Sequence, residues 1–179
     1  MVTLSALDRA LHLAALGLSI IPIRAGSKAP AVPWTEFQRT PAGEPVLRKW
    51  FREERPAGIV TGEVSGLVAV DCDSPEALAW AEANLPPTPL QTLTSQKTPG
   101  FRGRHLFYRW PGAPVSNAVK LQTGEGTLAL DIRGDGGQVL APGSLHPSGI
   151  RYEAIGTWDA DTLAGLPVFD PAWLKGAVD

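Results

Sequence analysis

The segment GLVAVDCDS, from Gly66 to Ser74, restricts the fold more than any other part of the sequence. Its apolar run predicts a strand buried in a sheet, and this strand ends in two aspartates on either side of a cysteine. Because side chains alternate across a strand, Asp71 and Asp73 lie on one face and Cys72 on the other. Two carboxylates this close repel each other unless a positive charge lies between them. The segment therefore predicts either a solvated strand end or a site for a divalent cation, which prefers oxygen ligands.

Glycine and proline divide the rest of the chain into short elements. The 179 residues include 19 glycines and 17 prolines, so connections are many and loops are long. Ser74 and Pro75 predict the cap and first turn of a helix that runs to about residue 85. Further helices are predicted at about residues 5–16, 45–52 and 170–177, and further strands at about residues 18–23, 58–62, 90–95, 104–110, 127–134, 138–142 and 150–155. This order predicts an α+β fold with an antiparallel or mixed sheet.

Composition and charge narrow the class of protein. Hydrophobic residues make up 44% of the chain and charged residues 19%, which is typical of a globular domain. The net charge of −2 means that local patches must hold any polyanion. The only cysteine, Cys72, cannot form an internal disulfide, which favours a reducing, cytoplasmic setting. No apolar stretch approaches the roughly 18 residues of a membrane-spanning helix, and the apolar N-terminus lacks the features of a signal peptide.

A second strand end carries further charged side chains. Asp131 ends the apolar run in TLALDIRGDGG, and Arg133 lies two residues further on, on the same face. Asp135 lies in the glycine-rich segment that follows and is predicted to be a turn residue. Three strand-end aspartates, Asp71, Asp73 and Asp131, can hold two metal ions, which is the arrangement used for in-line phosphoryl transfer.

Two loops add histidines and cations to the candidate residues. His105 begins a strand just after the basic loop GFRGR, and Lys97 and Arg104 lie close to it in sequence. Such a loop suits a phosphate tail, although solvated arginines of an exposed loop give the same pattern. In LAPGSLHPSG, Ser144 and His146 lie two residues apart in a turn shaped by glycine and proline. The third histidine, His12, falls in the first helix and is predicted to be structural.

The order and spacing of these segments resemble the primase–polymerase (Prim-Pol) domain of the archaeo-eukaryotic primase superfamily. This form of the domain is found at the N-terminus of plasmid, phage and mobile-element replication proteins. No P-loop, zinc-ribbon, G-x-S-x-G or H-E-x-x-H pattern is present. The resemblance covers nearly the whole chain and is carried by GLSIIPIRAGSKAPAVPW, GIVTGEVSGLVAVDCDS, GRH, LDIRGDGGQVLAPGSLHPSG and LPVFDPAWL. Three positions depart from the usual pattern: Gly103 replaces a serine, Gly143 a proline and Gln138 an aromatic residue.

The resemblance implies a fold and a set of site residues. The expected fold is an N-terminal α/β module, at about residues 1–65, packed on an RNA-recognition-motif-like sheet of mixed or antiparallel strands, at about residues 66–179. Both would form one catalytic domain with the active site between them. The implied metal ligands, for two Mg²⁺ or Mn²⁺ ions, are Asp71, Asp73 and Asp131. His105 would contact the phosphates or sugar of the incoming nucleotide, and the same pocket would be lined by Arg104, Arg133, Ser144 and His146.

The implied activity is DNA primase or DNA polymerase, by template-directed nucleotidyl transfer. Its partners would be a single-stranded DNA template, a primer strand, nucleoside triphosphates and a fused or separate helicase. The template could be held by basic and aromatic residues at Arg39 or in 48–52, where Trp50 and Phe51 could instead be core residues. Two other classes stay open: a metal-dependent phosphodiesterase or nuclease, and a non-catalytic module that binds single-stranded nucleic acid.

Overall fold

Short helices and strands alternate in the first half of the chain, and strands dominate the second half. The computed structural model describes residues 4–175. Its helices are α1 (Ala6–Ala15), α2 (Glu44–Trp50), α3 (Pro75–Asn84) and α4 (Ala160–Ala164), with 3₁₀ turns at Thr35–Gln38 and Pro171–Leu174. Its strands are β1 (Ser19–Pro22), β2 (Ala57–Val60), β3 (Leu67–Cys72), β4 (Gln91–Leu93), β5 (Arg104–Arg109), β6 (Gln122–Thr123), β7 (Gly126–Thr127), β8 (Leu130–Arg133), β9 (Gln138–Leu140) and β10 (Glu153–Ile155).

Side-chain caps begin the two longest helices where the sequence predicts them. The Ser5 hydroxyl accepts a hydrogen bond from the Asp8 amide at the start of α1, at 3.1 Å. The Ser74 hydroxyl accepts one from the Ala77 amide at the start of α3, also at 3.1 Å. Helix α1 ends just before Gly17, whose φ of 91° takes the chain out of the helix at no steric cost.

The strands form two sheets and a small hairpin, and all pairings between named strands are antiparallel. The first sheet has the order β1-β2-β9, and the second has the order β10-β4-β5-β3-β8. Strands β6 and β7 pair only with each other. The predicted α+β fold is therefore confirmed, and of the two sheet types that the sequence left open, antiparallel or mixed, the structure has the antiparallel one.

Strand β3 lies inside the larger sheet and is buried on both faces. Ala69 packs in one hydrophobic cluster with α1 and the first sheet. Val70 and Cys72 pack in a second cluster with α3, where they meet Ala77. The alternation predicted for this segment is confirmed, and it places Asp71 on the same face as Ala69, toward the first sheet.

Three connections join the two sheets: the segment from β2 to β3, the turn from β8 to β9 and the segment from β9 to β10. The turn after β8 leads into β9, so the first sheet is completed by a strand from the second half of the chain. Asp135 fixes this turn: its Oδ1 accepts from the Glu63 amide at 2.9 Å, and its Oδ2 accepts from the Val115 amide at 2.7 Å and from the Trp110 indole at 3.0 Å. The prediction that Asp135 is a turn residue is confirmed.

Two predicted elements differ from the structure. The closing helix is only a 3₁₀ turn at Pro171–Leu174, capped by the Asp170 carboxylate, and residues 176–177 of that prediction lie outside the described residues. The strand predicted over 127–134 is divided, because residue 127 belongs to the β6–β7 hairpin and β8 begins only at Leu130. Among residues 4–175, no helix has the length and hydrophobicity needed to cross a membrane.

We expect Asp135→Ala to lower the free energy of unfolding by about 2 kcal/mol, because it leaves three donors without their charged acceptor. Burial alone would raise the pKa of Asp135, but the hydrogen bonds from Val115, Glu63 and Trp110 lower it overall. A carboxyl whose pKa is lowered by folding stabilises the protein above its ordinary pKa and loses that contribution as the pH falls through the folded value. The decrease in the free energy of unfolding caused by Asp135→Ala should therefore be smaller in acid. Urea unfolding at pH 7 and pH 3.5 would measure it, with the exposed Asp161→Asn as the control, and equal losses at both pH values would contradict the assignment.

Candidate active site

Three polar side chains form a row across the larger sheet. Asp71 on β3 lies opposite His105 on β5 and opposite Asp131 on β8 in the strand register. The three residues are far apart in sequence, but neighbouring strands bring side chains that are directly opposite to within about 4.5–5.5 Å. All three are largely buried. The structure thus brings the strand-end carboxylates and the histidine together.

The row opens into a cleft between the two sheets, with a volume of about 310 Å³. The larger sheet contributes the Asp71 and His105 side chains to the cleft wall, and β9 of the first sheet forms the opposite side. The loops around it add both charges and aromatic rings. The lining residues are Lys28, Trp34, Asp71, Asp73, Lys97, His105, Arg133, Gly136, Gly137, Gln138, Val139, Leu140 and Tyr152.

The negative charge of Asp71 is unfavourable in this cleft. Burial and the nearby Asp73 carboxylate raise the pKa of Asp71 to about 7. Its Oδ1 is buried and has no hydrogen-bond partner. A buried carboxylate oxygen without a donor is costly, so the site favours the arrival of a cation or a proton donor at this atom.

Asp73 is neutralised by a lysine from the loop that follows β4. The Lys97 ammonium donates to Oδ2 of Asp73 at 2.8 Å. Burial alone would lower the pKa of Lys97, but this hydrogen bond and the charge of Asp73 raise it overall. The Thr98 hydroxyl also donates to the Asp73 carbonyl at 2.8 Å, which ties the loop to the end of β3.

Both carboxylate oxygens of Asp131 already have partners. Its Oδ1 accepts from the Lys120 amide at 2.8 Å, and its Oδ2 forms an ion pair with Arg133 at 3.0 Å. Within residues 4–175, no group of three or more His, Cys, Asp or Glu side chains is arranged to hold a metal ion. Asp71 and Asp73 fit a hard cation by ligand type and by the free Oδ1, whereas Asp131 could join them only after Arg133 moves away.

His105 is a neutral imidazole rather than a cation. Complete burial, together with the charges of Lys97 and Arg133, lowers its pKa to about 3. Its Nε2 lies 3.6 Å from Oδ1 of Asp71, which is beyond hydrogen-bond distance, and its Nδ1 has no partner. The ring is held edge-on against Phe107 and Tyr152, with centroids 6.1 and 5.8 Å away. His105 can therefore offer a fixed hydrogen bond to a ligand but not a positive charge.

The structure adds cleft residues that sequence reasoning did not assign to the site. Lys28 and Trp34 lie in the segment GLSIIPIRAGSKAPAVPW, which carries part of the family resemblance but received no role in the site. Partial burial and the charge of Lys97 lower the pKa of Lys28, although the charges of Asp71 and Asp73 oppose this shift. Tyr152, just before β10, had no sequence signal, because only the pairing of β10 with β4 places it beside His105.

Other candidate residues lie away from the cleft. Arg104 projects from the opposite face of β5, where it donates to the Gln91 side chain at 3.0 Å. Ser144 is buried and donates to and accepts from the Ala57 backbone. His146 is separated from the cleft by Tyr152, on which its ring stacks with centroids 5.7 Å apart. Arg104, Ser144 and His146 therefore do not line the cleft, unlike the expectation from the sequence, because strand alternation and turn geometry direct their side chains elsewhere.

The aromatic residues proposed to hold a template are core residues. Phe51 is 3% exposed, and Trp50 packs edge-to-face on Phe37 with centroids 4.9 Å apart. Arg48 is paired with Glu44 on the same helix at 2.7 Å. The core alternative for this helix is therefore confirmed. The structural prediction for His12 is confirmed too, because its Nε2 lies 2.8 Å from the Trp158 carbonyl oxygen.

The departures at Gly103 and Gly143 have steric causes. A Cβ at Gly103 would lie 2.6 Å from the Thr94 hydroxyl and 2.9 Å from the Cys72 carbonyl oxygen. The Thr94 side chain thus fills the space that a serine at 103 would need. Gly143 has a φ of 88°, which proline cannot adopt, and a Cβ there would overlap the Arg9 side chain.

Carboxylates, lysines and an arginine share one cleft, and these side-chain types are suited to metal ions and phosphate groups. Comparison with protein-family models matches residues 10–168 to the family Prim-Pol, described as bifunctional DNA primase/polymerase, N-terminal. The protein belongs to this family, which confirms the resemblance seen in the sequence and associates the chain broadly with DNA primases and polymerases. A search of curated proteins found no match.

We expect Asp71→Asn to stabilise the metal-free protein at pH 8 by about 1–4 kcal/mol, because it removes a buried charge. Folding raises the pKa of Asp71 from its ordinary value of 3.8 to about 7, so the native state binds the proton more tightly than the unfolded chain. The wild type therefore loses stability as the pH rises from about 4 to 7, and the advantage of the variant grows over that window. Urea unfolding in EDTA measures it, with Asp161→Asn as the control, and an advantage that does not change with pH would contradict the cause.

We expect Gly103→Ser to lower the free energy of unfolding by about 1–3 kcal/mol through overpacking against Thr94 and the β3 backbone. Combining it with Thr94→Ala removes one of the overlapping atoms, so the double variant should lose less than the sum of the single variants. Chemical denaturation of the four proteins measures this coupling. If the two losses of unfolding free energy simply add in the double variant, Thr94 does not occupy the space that a serine at position 103 would need.

Proposed function

We propose that this domain catalyses template-directed nucleotidyl transfer in the cleft between its two sheets, as a DNA primase, a DNA polymerase or both. One observation carries the proposal: a buried carboxylate, Asp71, lies between His105 and Asp131 and faces three cations that point into the same cleft. The carboxylates are suited to metal ions, and the cations to the phosphates of a nucleotide. A DNA-synthesising role agrees with the family to which the chain belongs.

Asp71 and Asp73 are the residues proposed to hold Mg²⁺ or Mn²⁺, with Asp131 as a third ligand. The chemistry supplied by two such bound ions is a lower pKa for the attacking hydroxyl and neutralisation of charge on the transferred and leaving phosphates. Binding would also offset the burial and the repulsion by Asp73 that together raise the pKa of Asp71, and it would occupy the unpartnered Oδ1 of Asp71. Arg133, released from Asp131, would then be free to turn toward the nucleotide.

Lys28, Lys97 and Arg133 are proposed to bind the triphosphate. They reach the cleft from three different loops or strands, so together they can surround a polyphosphate chain. His105, being neutral, would donate a hydrogen bond to a phosphate or sugar oxygen without adding charge. Trp34 is half-buried on the cleft wall and offers a flat surface on which a base can stack.

The larger sheet is proposed to be the RNA-recognition-motif-like unit of the fold. Its strands β3, β4, β5 and β8 occur in the spatial order β8-β3-β5-β4, with α3 between β3 and β4. This is the order expected of a β-α-β-β-α-β unit. In the described part of the chain, the β6–β7 hairpin stands where the second helix of such a unit would lie. The first sheet with α1 and α2 would be the N-terminal module.

The proposed partners are a single-stranded DNA template, a primer strand and nucleoside triphosphates, with a helicase acting nearby or in the same protein. A metal-dependent phosphodiesterase could use the same aspartates, but it has no need for three cations around a triphosphate. A non-catalytic binding module has no need for a buried carboxylate without a partner. The cations and the unpartnered Oδ1 of Asp71 therefore favour nucleotidyl transfer.

We expect the double variant Asp71→Ala, Asp73→Ala to lose primer extension by at least about 100-fold, because both proposed ligands are removed. The assay supplies a single-stranded template with and without primer, each nucleotide type, and either Mg²⁺ or Mn²⁺. The exposed Asp161→Asn is the matched control. Circular dichroism establishes that the double variant is folded.

Three results would contradict the proposal. Undiminished extension by the folded double variant would remove the aspartates from the reaction. Metal-dependent degradation of DNA without nucleotides, and no synthesis, would identify a nuclease. Strand binding by the wild-type protein with no turnover under any condition would identify a binding module.

A further inference from the structure

A second, smaller pocket lies beside the cleft and is lined by arginines. It has a volume of about 220 Å³ and is formed by the start of α1, the segment before β2 and the turn that contains His146. The charged residues in its wall are Arg9, Arg55, Arg151 and Glu54. No role in metal or nucleotide binding has been assigned to any of these four residues above.

The positive charges of this pocket are only partly neutralised. Among residues 4–175, Glu54 is the only carboxylate in its wall. The Glu54 side chain is already committed, because it accepts from the Ala6 amide at 2.8 Å and lies 3.9 Å from Arg9. Arg55 has a loose pair with Glu53 at 3.7 Å, and Arg151 has no ion pair within the described residues. The wall therefore carries an excess of positive charge.

The fold holds two of these arginines close together although they repel each other. Arg151 donates to the Gly143 carbonyl at 2.7 Å, and the stem of Arg9 packs against the Cα of the same glycine. A residue with a side chain at 143 would displace Arg9. Two guanidinium groups converging on one glycine leave N–H donors that an anion can bind from both sides.

The pocket adjoins the cleft. The His146 ring in its wall stacks on Tyr152, which lines the cleft. Gly26 in its wall belongs to the loop that carries Lys28 into the cleft. Leu145, which is 44% exposed, lies at the same pocket and provides apolar surface next to the arginines. Arginine beside exposed apolar surface is suited to a phosphate that carries a sugar and a base.

We propose that the pocket formed by Arg9, Arg55 and Arg151 binds a phosphodiester group of a single-stranded nucleic acid whose neighbouring nucleotides enter the cleft. A phosphodiester carries one negative charge, which suits a pocket that also contains Glu54. A free triphosphate carries more negative charge and binds together with a metal ion. Glu54, the one carboxylate described in this pocket, is already paired with Ala6 and Arg9 and is a poor ligand for that metal ion. Whether the bound strand is template or primer rests on the proposed function, but the binding of the phosphate group does not.

The test measures binding without catalysis. Fluorescence anisotropy of a labelled oligothymidylate is recorded in EDTA, over a range of salt concentrations, for the wild type, Arg151→Gln and Arg55→Gln. Arg109→Gln is the matched control, because Arg109 is exposed at the end of β5 remote from the cleft and its loss changes the net charge equally. We expect each pocket variant to weaken binding by about three- to tenfold. A variant that combines Arg151→Gln with Arg55→Gln should also reduce the slope of log K against log salt by about 0.7, the value for one phosphate contact.

Pocket variants that bind like Arg109→Gln, with an unchanged salt slope, would overturn the proposal. Titrations with inorganic phosphate and with a nucleoside triphosphate distinguish the source of the phosphate. Weaker triphosphate binding by Arg151→Gln with unchanged oligonucleotide binding would assign the pocket to free nucleotides and overturn the nucleic-acid assignment. The same anisotropy in the Asp71→Ala, Asp73→Ala background separates the two proposals, because that variant should lose primer extension and still show the effect of Arg151→Gln.

Discussion

The antiparallel register of β3 with β5 and β8 is the constraint on which the candidate site depends. Because Asp71 is paired with His105 on one side and with Asp131 on the other, the three side chains occupy one row of the sheet. A shift of one residue in either pairing would send the partner to the opposite face. The hydrophobic clusters on both faces of β3 prevent such a shift, since it would turn His105 or Asp131 into the cluster that packs on α3. The packing of β3 therefore determines both the hydrophobic core and the geometry of the candidate site.

The charges in the cleft do not all stabilise the fold. Asp71 is buried with a raised pKa, which is a cost to folding, and the exposed Lys28 at the cleft wall has a lowered pKa. Two ion pairs, Asp73 with Lys97 and Asp131 with Arg133, neutralise the other charges at the cleft. Metal ions and phosphates would reverse these effects together, because each would neutralise the charges that now repel one another. Perturbed pKa values of this kind are common at functional sites.

Much of the fold was predictable from local patterns. Ser5 and Ser74 mark the starts of the two longest helices, and the alternation in β3 correctly assigns its two faces. The errors occur where a local pattern is short, as in the 3₁₀ turn at Pro171–Leu174, whose few residues cannot distinguish a turn from a helix. The position of β9 in the first sheet was also beyond local reasoning, because pairing partners are distant in sequence.

By itself, the sequence determined which residues could do chemistry: the strand-end aspartates, a histidine after a basic loop, and the family to which their order belongs. Only the tertiary structure decided which of them meet. In the structure, Arg104 lies on the far face of β5 and Asp131 is paired with Arg133. Lys28 and Tyr152 line the cleft. The physical reason is that a residue type and its periodicity are local properties. The direction of a side chain relative to a distant strand depends on long-range pairing and on which neighbours fill the space beside it.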